Sequence, residues 1–167
     1  MSVIGLKVLV VEDSKLYRSC ALNALKGHNK FVAETVADGY QIFVKEKPDV
    51  TFLDINLKDG SGLDLLCDIK KIDRFAFVVM MSSQINMSLI QESQANGAAG
   101  YIAKPFNMER IQKCIVQYID FSHKLTKMKS EEDIELSKAK EFAELRKKSA
   151  EEEANSDSKK NQDEKSG

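Results

Sequence analysis

The chain has 167 residues, 43% of them hydrophobic, which suits one packed domain with an appendage rather than two full domains. A formal net charge of -1 argues against a protein whose main business is electrostatic binding of nucleic acid. The charge is unevenly spread: residues 1–129 carry 17 basic and 14 acidic side chains, and residues 130–167 carry 8 and 12. Cys20, Cys67 and Cys114 are widely spaced, lack metal-ligand spacing and read as free thiols of a reducing compartment. No apolar run reaches the length of a membrane span and the N-terminus enters a strand almost at once, so the expectation is a cytoplasmic protein without span or signal peptide.

In chain order, Leu6 to Val11 is an apolar run that leads into Glu12-Asp13. Ser14 or Asp13 can cap a helix carrying Leu16, Tyr17, Cys20, Ala21, Ala24 and Leu25 at spacings of three and four. Phe31 to Val36 is a weaker strand candidate, and Asp38-Gly39 opens a helix that Pro48 ends. Val50 to Asp54 is a buried strand ending in a carboxylate, followed by a turn with Gly60 and Gly62 and a helix with Leu63, Leu65, Leu66 and Ile69. Phe75 to Met81 is almost wholly apolar and ends at Ser82-Ser83, as a central strand covered on both faces should. A helix over Asn86 to Asn96 stops at Gly97, and within the short run Ala98 to Ala103 the residues Tyr101-Ile102-Ala103 make a fifth strand ending in Lys104-Pro105, a bond free to be cis. Asn107 then caps a helix with Met108, Ile111, Ile115 and Ile119 on its apolar face.

Five strand-helix alternations with short loops predict a doubly wound α/β domain: a five-stranded parallel sheet with helices on both faces. In such a sheet, ligands bind at the carboxyl ends of the strands. Glu12, Asp13 and Asp54 would meet there, and three converging carboxylates repel unless a cation sits among them. Oxygen-only ligands favour Mg2+, with Mn2+ as the alternative. Each part also has an ordinary reading: Glu12-Asp13 as an acidic loop before a cap, Lys104 as a solvated lysine, Ser82 as a strand-end hydroxyl. Their joint placement is the inventory for phosphoryl transfer to a carboxylate: nucleophile, divalent cation and donors for the phosphoryl oxygens.

Glu12-Asp13, Asp54, Ser82 and Lys104-Pro105, in that order and at those intervals, resemble the signature of receiver domains of bacterial two-component response regulators. In size the chain is most similar to the single-domain, chemotaxis-type members, and the likeness covers roughly Leu6 to Phe121. The resemblance implies Asp54 as phosphoacceptor and Asp13, Asp54 and the Asn56 carbonyl as direct Mg2+ ligands, with Glu12 acting through metal-bound water. It implies Ser82 as the switch hydroxyl, Lys104 as the phosphate-contacting lysine and Tyr101 as the rotameric switch aromatic. Lys58 stands where the family often has proline. Gln84, at a position that modulates attack by water, is uncharged and cannot act as a general base, so self-dephosphorylation should be no faster than intermediate.

The expected function is a phosphorylation-activated signalling switch that takes its phosphoryl group from a histidine kinase or a histidine phosphotransfer protein. It would catalyse that step and a slow hydrolysis, though signalling and not turnover is its job. Output would leave through the fourth helix, fifth strand and fifth helix to a protein partner, with no nucleic acid and no membrane span involved. The alternative is a non-phosphorylated interaction or scaffold module. A flavin carrier of the same topology is disfavoured because Glu12-Asp13 would repel a flavin phosphate. The expected domain limits are 1–125 for the receiver and 126–167 for a charged extension, partly helical or disordered. Within it, residues 131–148 carry a smeared apolar stripe including Ile134, Phe142 and Leu145 that either docks or frays, and nothing from Ser149 onward can offset ordering entropy.

Overall fold

The computed structural model describes residues 5–84 and 86–163, with side chains omitted for Leu145 and for 148–163. The elements, in order, are β1 (Lys7–Val11), α1 (Lys15–Ala24), β2 (Asn29–Ala33), α2 (Val36–Glu46), β3 (Val50–Asp54), β4 (Asn56–Leu57), β5 (Gly60–Ser61), α3 (Gly62–Ile72), β6 (Phe77–Ser82), α4 (Met87–Ala95), β7 (Gly100–Ala103) and α5 (Met108–Asp163). The chain divides into two compact units between Asp120 and Phe121.

In the first unit, five strands pair in parallel in the order β2-β1-β3-β6-β7. The two strands entered from opposite directions are β1 and β3, so the crevice where the winding reverses lies between their carboxyl ends. Every residue of β3 and β6 is buried. Leu9, Val11, Leu53, Val78 and Met80 pack with Phe43 of α2 and with Leu65, Leu66 and Ile69 of α3. Residues of the other parity, Val8, Val10, Phe52, Val79 and Met81, are equally buried. The buried groups of α1 (Ala21, Ala24) and α5 (Ile111, Cys114, Ile115) fit cover of that second face. Each fully buried Val, Leu or Phe side chain contributes about 1.5–3 kcal/mol, which makes the sheet centre the stable frame for its rim.

Several boundaries differ from the sequence expectation. β2 begins at Asn29 rather than Phe31 and ends at Ala33, because its register is set by Lys7–Val11 alongside. Thr35 rather than Asp38 starts α2: its Oγ1 accepts from the Asp38 N–H at 3.0 Å. Both carboxylate oxygens of Asp59 accept from the next free donors, the N–H groups of Val36 (2.8 Å) and Ala37 (3.3 Å). Ser14 precedes α1 without a side-chain capping bond, whereas Asn86 and Asn107 cap as their residue type predicts, on the N–H groups of Ser88 and Arg110. Met108 is half exposed, and Cys114 takes the buried place beside Ile111 and Ile115. The short antiparallel ladder β4–β5 pairs Asn56 with Ser61 and Leu57 with Gly60 in what reads as a plain turn.

The second unit, from Phe121, is helical through Asp163 over its described residues, past the Ser149 limit that entropy alone suggested. Helical hydrogen bonds are local, so a segment rich in Ala, Glu and Lys needs no core to form them. Met128, Ile134, Leu136 and Phe142 are more than half exposed there, and the Arg146 guanidinium lies 5.6 Å from the Phe142 ring centroid. The side chain of Leu145 lies outside the described set. Among the described residues, no helix is long and apolar enough to cross a membrane.

Candidate functional site

The apolar runs ending in reactive groups deliver them to one rim. Glu12 follows β1, Asp54 ends β3, Ser82 ends β6 and Lys104 follows β7, and all four are buried. Carboxylate oxygens of Glu12, Asp13 and Asp54 lie within 4.8 Å of one another. The Lys104 ammonium reaches across to this group, 2.8 Å from Asp54 Oδ2 and 2.6 Å from Glu12 Oε2. It donates a hydrogen bond to Asp54 Oδ2. Against Glu12 it forms a close buried ion pair, and the ammonium is the one partner that Oε2 has among the described residues. The other Glu12 oxygen accepts from the Ser14 N–H at 3.0 Å.

Two pKa directions follow from this burial. Removal from water, with the Asp54 charge adding to it, raises the Glu12 carboxyl against the pull of Lys104 and the Ser14 N–H. Burial alone would depress the Lys104 ammonium, but its bonds to Asp54 and Glu12 and their charges outweigh that and hold it above the ordinary lysine value. One buried ammonium thus serves a cluster of three carboxylates, leaving an excess of negative charge. That donor set, hard oxygens with one opening through half-buried Asp13, fits Mg2+.

The loop after β3 brings Asn56 close by: its N–H lies 3.3 Å from Asp54 Oδ1. Ser82 Oγ accepts from the Gln84 N–H at 3.0 Å, and the Tyr101 hydroxyl donates to the Gln84 carbonyl at 2.6 Å. Ser82 and Tyr101 are therefore joined through the backbone of one residue, Gln84. The Lys104–Pro105 bond is cis.

The chain matches the family model of the response regulator receiver domain over residues 8–116. It belongs to that family. The receiver is 31% identical over 116 residues to the sporulation initiation phosphotransferase F of Bacillus subtilis, a match covering 68% of this chain and 93% of that protein. It is 29% identical to the chemotaxis protein CheY of Listeria monocytogenes, over 66% of this chain and 95% of the relative. Among solved structures, the receiver domain of a LuxO-type repressor from Vibrio parahaemolyticus superposes with a TM-score of 0.68 at 26% identity, covering 75% and 97% of the two chains. Other curated relatives are longer, and the matched segment spans 44% and 52% of two of them. The receiver fold with Glu12, Asp13, Asp54 and Lys104 gathered at one rim is the arrangement of a phosphoaccepting signalling switch.

Four further residues shape this rim and were given no role at it from sequence. The Tyr17 ring lies 4.7 Å below the Lys104 ammonium and stacks at 5.5 Å on Phe106. Arg18 Nη1 donates to the carbonyls of Glu12 and Asp13. Asp59 ties the loop that carries Asn56 to the start of α2. Gly62 presses on the acceptor strand, where an added Cβ would stand 1.9 Å from the Asp54 carbonyl oxygen. Only Gly62 left a sequence signal, a glycine in the turn after Asp54; the others depend on which way α1 and the loop fold back.

Proposed function

We propose that Asp54 accepts a phosphoryl group from the phosphohistidine of a histidine kinase or a histidine phosphotransfer protein. A carboxylate oxygen of Asp54 forms the new bond to phosphorus as the nitrogen–phosphorus bond breaks, and the imidazole leaves with that electron pair and takes a proton from solvent. The observation that carries this is the Lys104 ammonium held 2.8 Å from Asp54 Oδ2 inside a cluster of three carboxylates, an electrostatic site with a cation already aimed at the acceptor. Asp13, Asp54 and the Asn56 carbonyl would hold Mg2+, with Glu12 acting through water. The ion, when bound, supplies charge neutralisation of the carboxylates and of the transferring phosphoryl oxygens. Lys104 and the Ser82 hydroxyl are the donors for those oxygens on the protein side. The name of the Bacillus relative, a phosphotransferase, supports this chemistry.

Engaging Ser82 and Lys104 in the added dianion would release the Gln84 link to Tyr101 and reshape the face formed by α4, β7 and the first turns of α5, where a protein partner reads the signal. We assign the receiver to residues 1–125 and an extension to 126–167. The test is incubation with phosphoramidate, a small nitrogen–phosphorus donor, with and without Mg2+. Mass spectrometry should show one phosphoryl group added only with Mg2+ and none in Asp54→Asn. Equal incorporation into that variant would move the acceptor to another residue, and none into the wild type would leave a non-phosphorylated module acting only through its surface.

A further inference from the structure

Arg18 takes no part in the chemistry above, yet its side chain is largely buried and both terminal nitrogens are engaged. Its Nη1 donates to the Glu12 carbonyl at 2.9 Å and to the Asp13 carbonyl at 3.2 Å. Its Nη2 pairs with Glu34 Oε1 at 2.9 Å, just past the end of β2. One planar fork therefore joins α1, the acidic loop and the second strand's exit, which an ammonium on a flexible stem cannot reproduce.

The two carbonyls belong to residues that supply two of the three clustered carboxylates. Glu12 has its own side-chain restraints in Lys104 and the Ser14 N–H. Among the described residues, the Asp13 carboxylate has neither hydrogen bond nor ion pair, so its rotamer and the backbone beneath it are all that place it. Repulsion from Glu12 and Asp54 works to part the three, and a backbone free to shift would let them separate further. We propose that Arg18 is a positioning residue for the metal pocket: by fixing the Glu12 and Asp13 carbonyls it keeps the carboxylates converged before a cation arrives. The proposal rests on reading Glu12, Asp13 and Asp54 as the Mg2+ site.

Charge and position make opposite predictions here. As a nearby positive charge, Arg18 repels a cation, so removing it should tighten Mg2+ binding. As a positioning residue, its removal should weaken binding.

The test is titration of the full chain with MgCl2, following the amide NMR shifts of Asp13, Asp54 and Asn56. Arg18→Gln should raise the Mg2+ Kd about tenfold, the scale of lost outer-shell support. Arg18→Lys keeps the charge but loses the fork and should also bind more weakly. Glu34→Gln, which leaves Arg18 in place but untethered, should weaken binding about two- to threefold, the weight of a half-exposed ion pair. Thermal melts of each variant separate a loss of fold from a loss of affinity. A folded Arg18→Gln protein with an unchanged or lower Kd would overturn the proposal. Should that variant fail to fold, an unchanged Kd in Glu34→Gln overturns it instead. A wild type that binds no Mg2+ would remove the site reading itself, a different failure from normal wild-type binding with indifferent variants.

Discussion

Lys104 is buried between Glu12 and Asp54, with the Tyr17 ring beneath it. Removing one partner of a buried ion pair leaves the other charge uncompensated, at a cost of about 3–5 kcal/mol. Lys104→Met should therefore destabilise the metal-free protein by that order, and Mg2+ should recover much of it by supplying the missing positive charge. Thermal melts should show a larger Mg2+-induced rise in Tm for the variant than for the wild type. Equal rises would mean that lysine and cation do not serve the same carboxylates. Glu12, Asp13, Asp54, Ser82 and Lys104 were legible in the sequence because each stands at the end of an apolar run, and in a parallel sheet those ends share a rim. Arg18 and Tyr17 were not legible. Both lie in an amphipathic helix pattern that says which face is buried but not which loop carbonyl or ammonium it meets. The peptide link between Ser82 and Tyr101 was hidden for a similar reason, since it runs through the backbone of Gln84.

At the level of elements, Gly62 sets how closely α3 can approach β3. Its N–H donates to the Ile55 carbonyl at 2.7 Å, and a Cβ there would overlap the Asp54 carbonyl oxygen. Gly62→Ala must push α3 off the acceptor strand. It should cost about 1–3 kcal/mol by denaturant unfolding and slow phosphorylation at saturating Mg2+. Wild-type stability and rate in that variant would show that the loop has slack. At the opposite rim, the Tyr118 hydroxyl on α5 donates to Asp49 Oδ1 at 3.1 Å, while Asp49 Oδ2 accepts from the Lys7 N–H at 2.8 Å. Burial, reinforced by the Asp49 charge and hydrogen bond, raises the Tyr118 phenol from 10 to about 12. A raised pKa means the neutral form is favoured in the folded state. Its stabilising contribution is whole below pH 10 and is lost as the pH climbs through about 12. The tyrosinate absorbance present in wild type and missing from Tyr118→Phe should have its midpoint near that upper value; a midpoint near 10 would contradict the contact. The element types and their order could be read from apolar periodicity, and their boundaries less well. β2 and α2 start before the sequence pattern suggests because strand pairing with β1 and the reach of Asp59 to the α2 N-terminus are tertiary effects.

For the molecule as a whole, the proposed switch shares residues between acceptance and output. Asp54 and the acidic cluster would accept, Lys104 and Ser82 would hold the phosphoryl oxygens, and their movement, followed by Tyr101, would relay the change. Ser82→Ala and Lys104→Ala should still take up some phosphoryl analogue while the amide shifts of Tyr101 and of residues 107–119 respond weakly. Wild-type responses in both variants would detach the relay from those residues. The domain's fold could be read along most of its length because its core is one sheet with a regular alternation. The segment after Asp120 could be read only as a partly helical or disordered extension, since its helix rests on local bonds and its apolar residues are too scattered to name a docking face. The most direct measurement is where the phosphoryl group goes. After reaction with acetyl phosphate and Mg2+, borohydride reduction converts an acyl phosphate on aspartate to homoserine, which peptide mass spectrometry locates. Homoserine is expected at position 54 and at no other aspartate, and absent without Mg2+. Homoserine at Asp13 or Asp59 with Asp54 intact would contradict it.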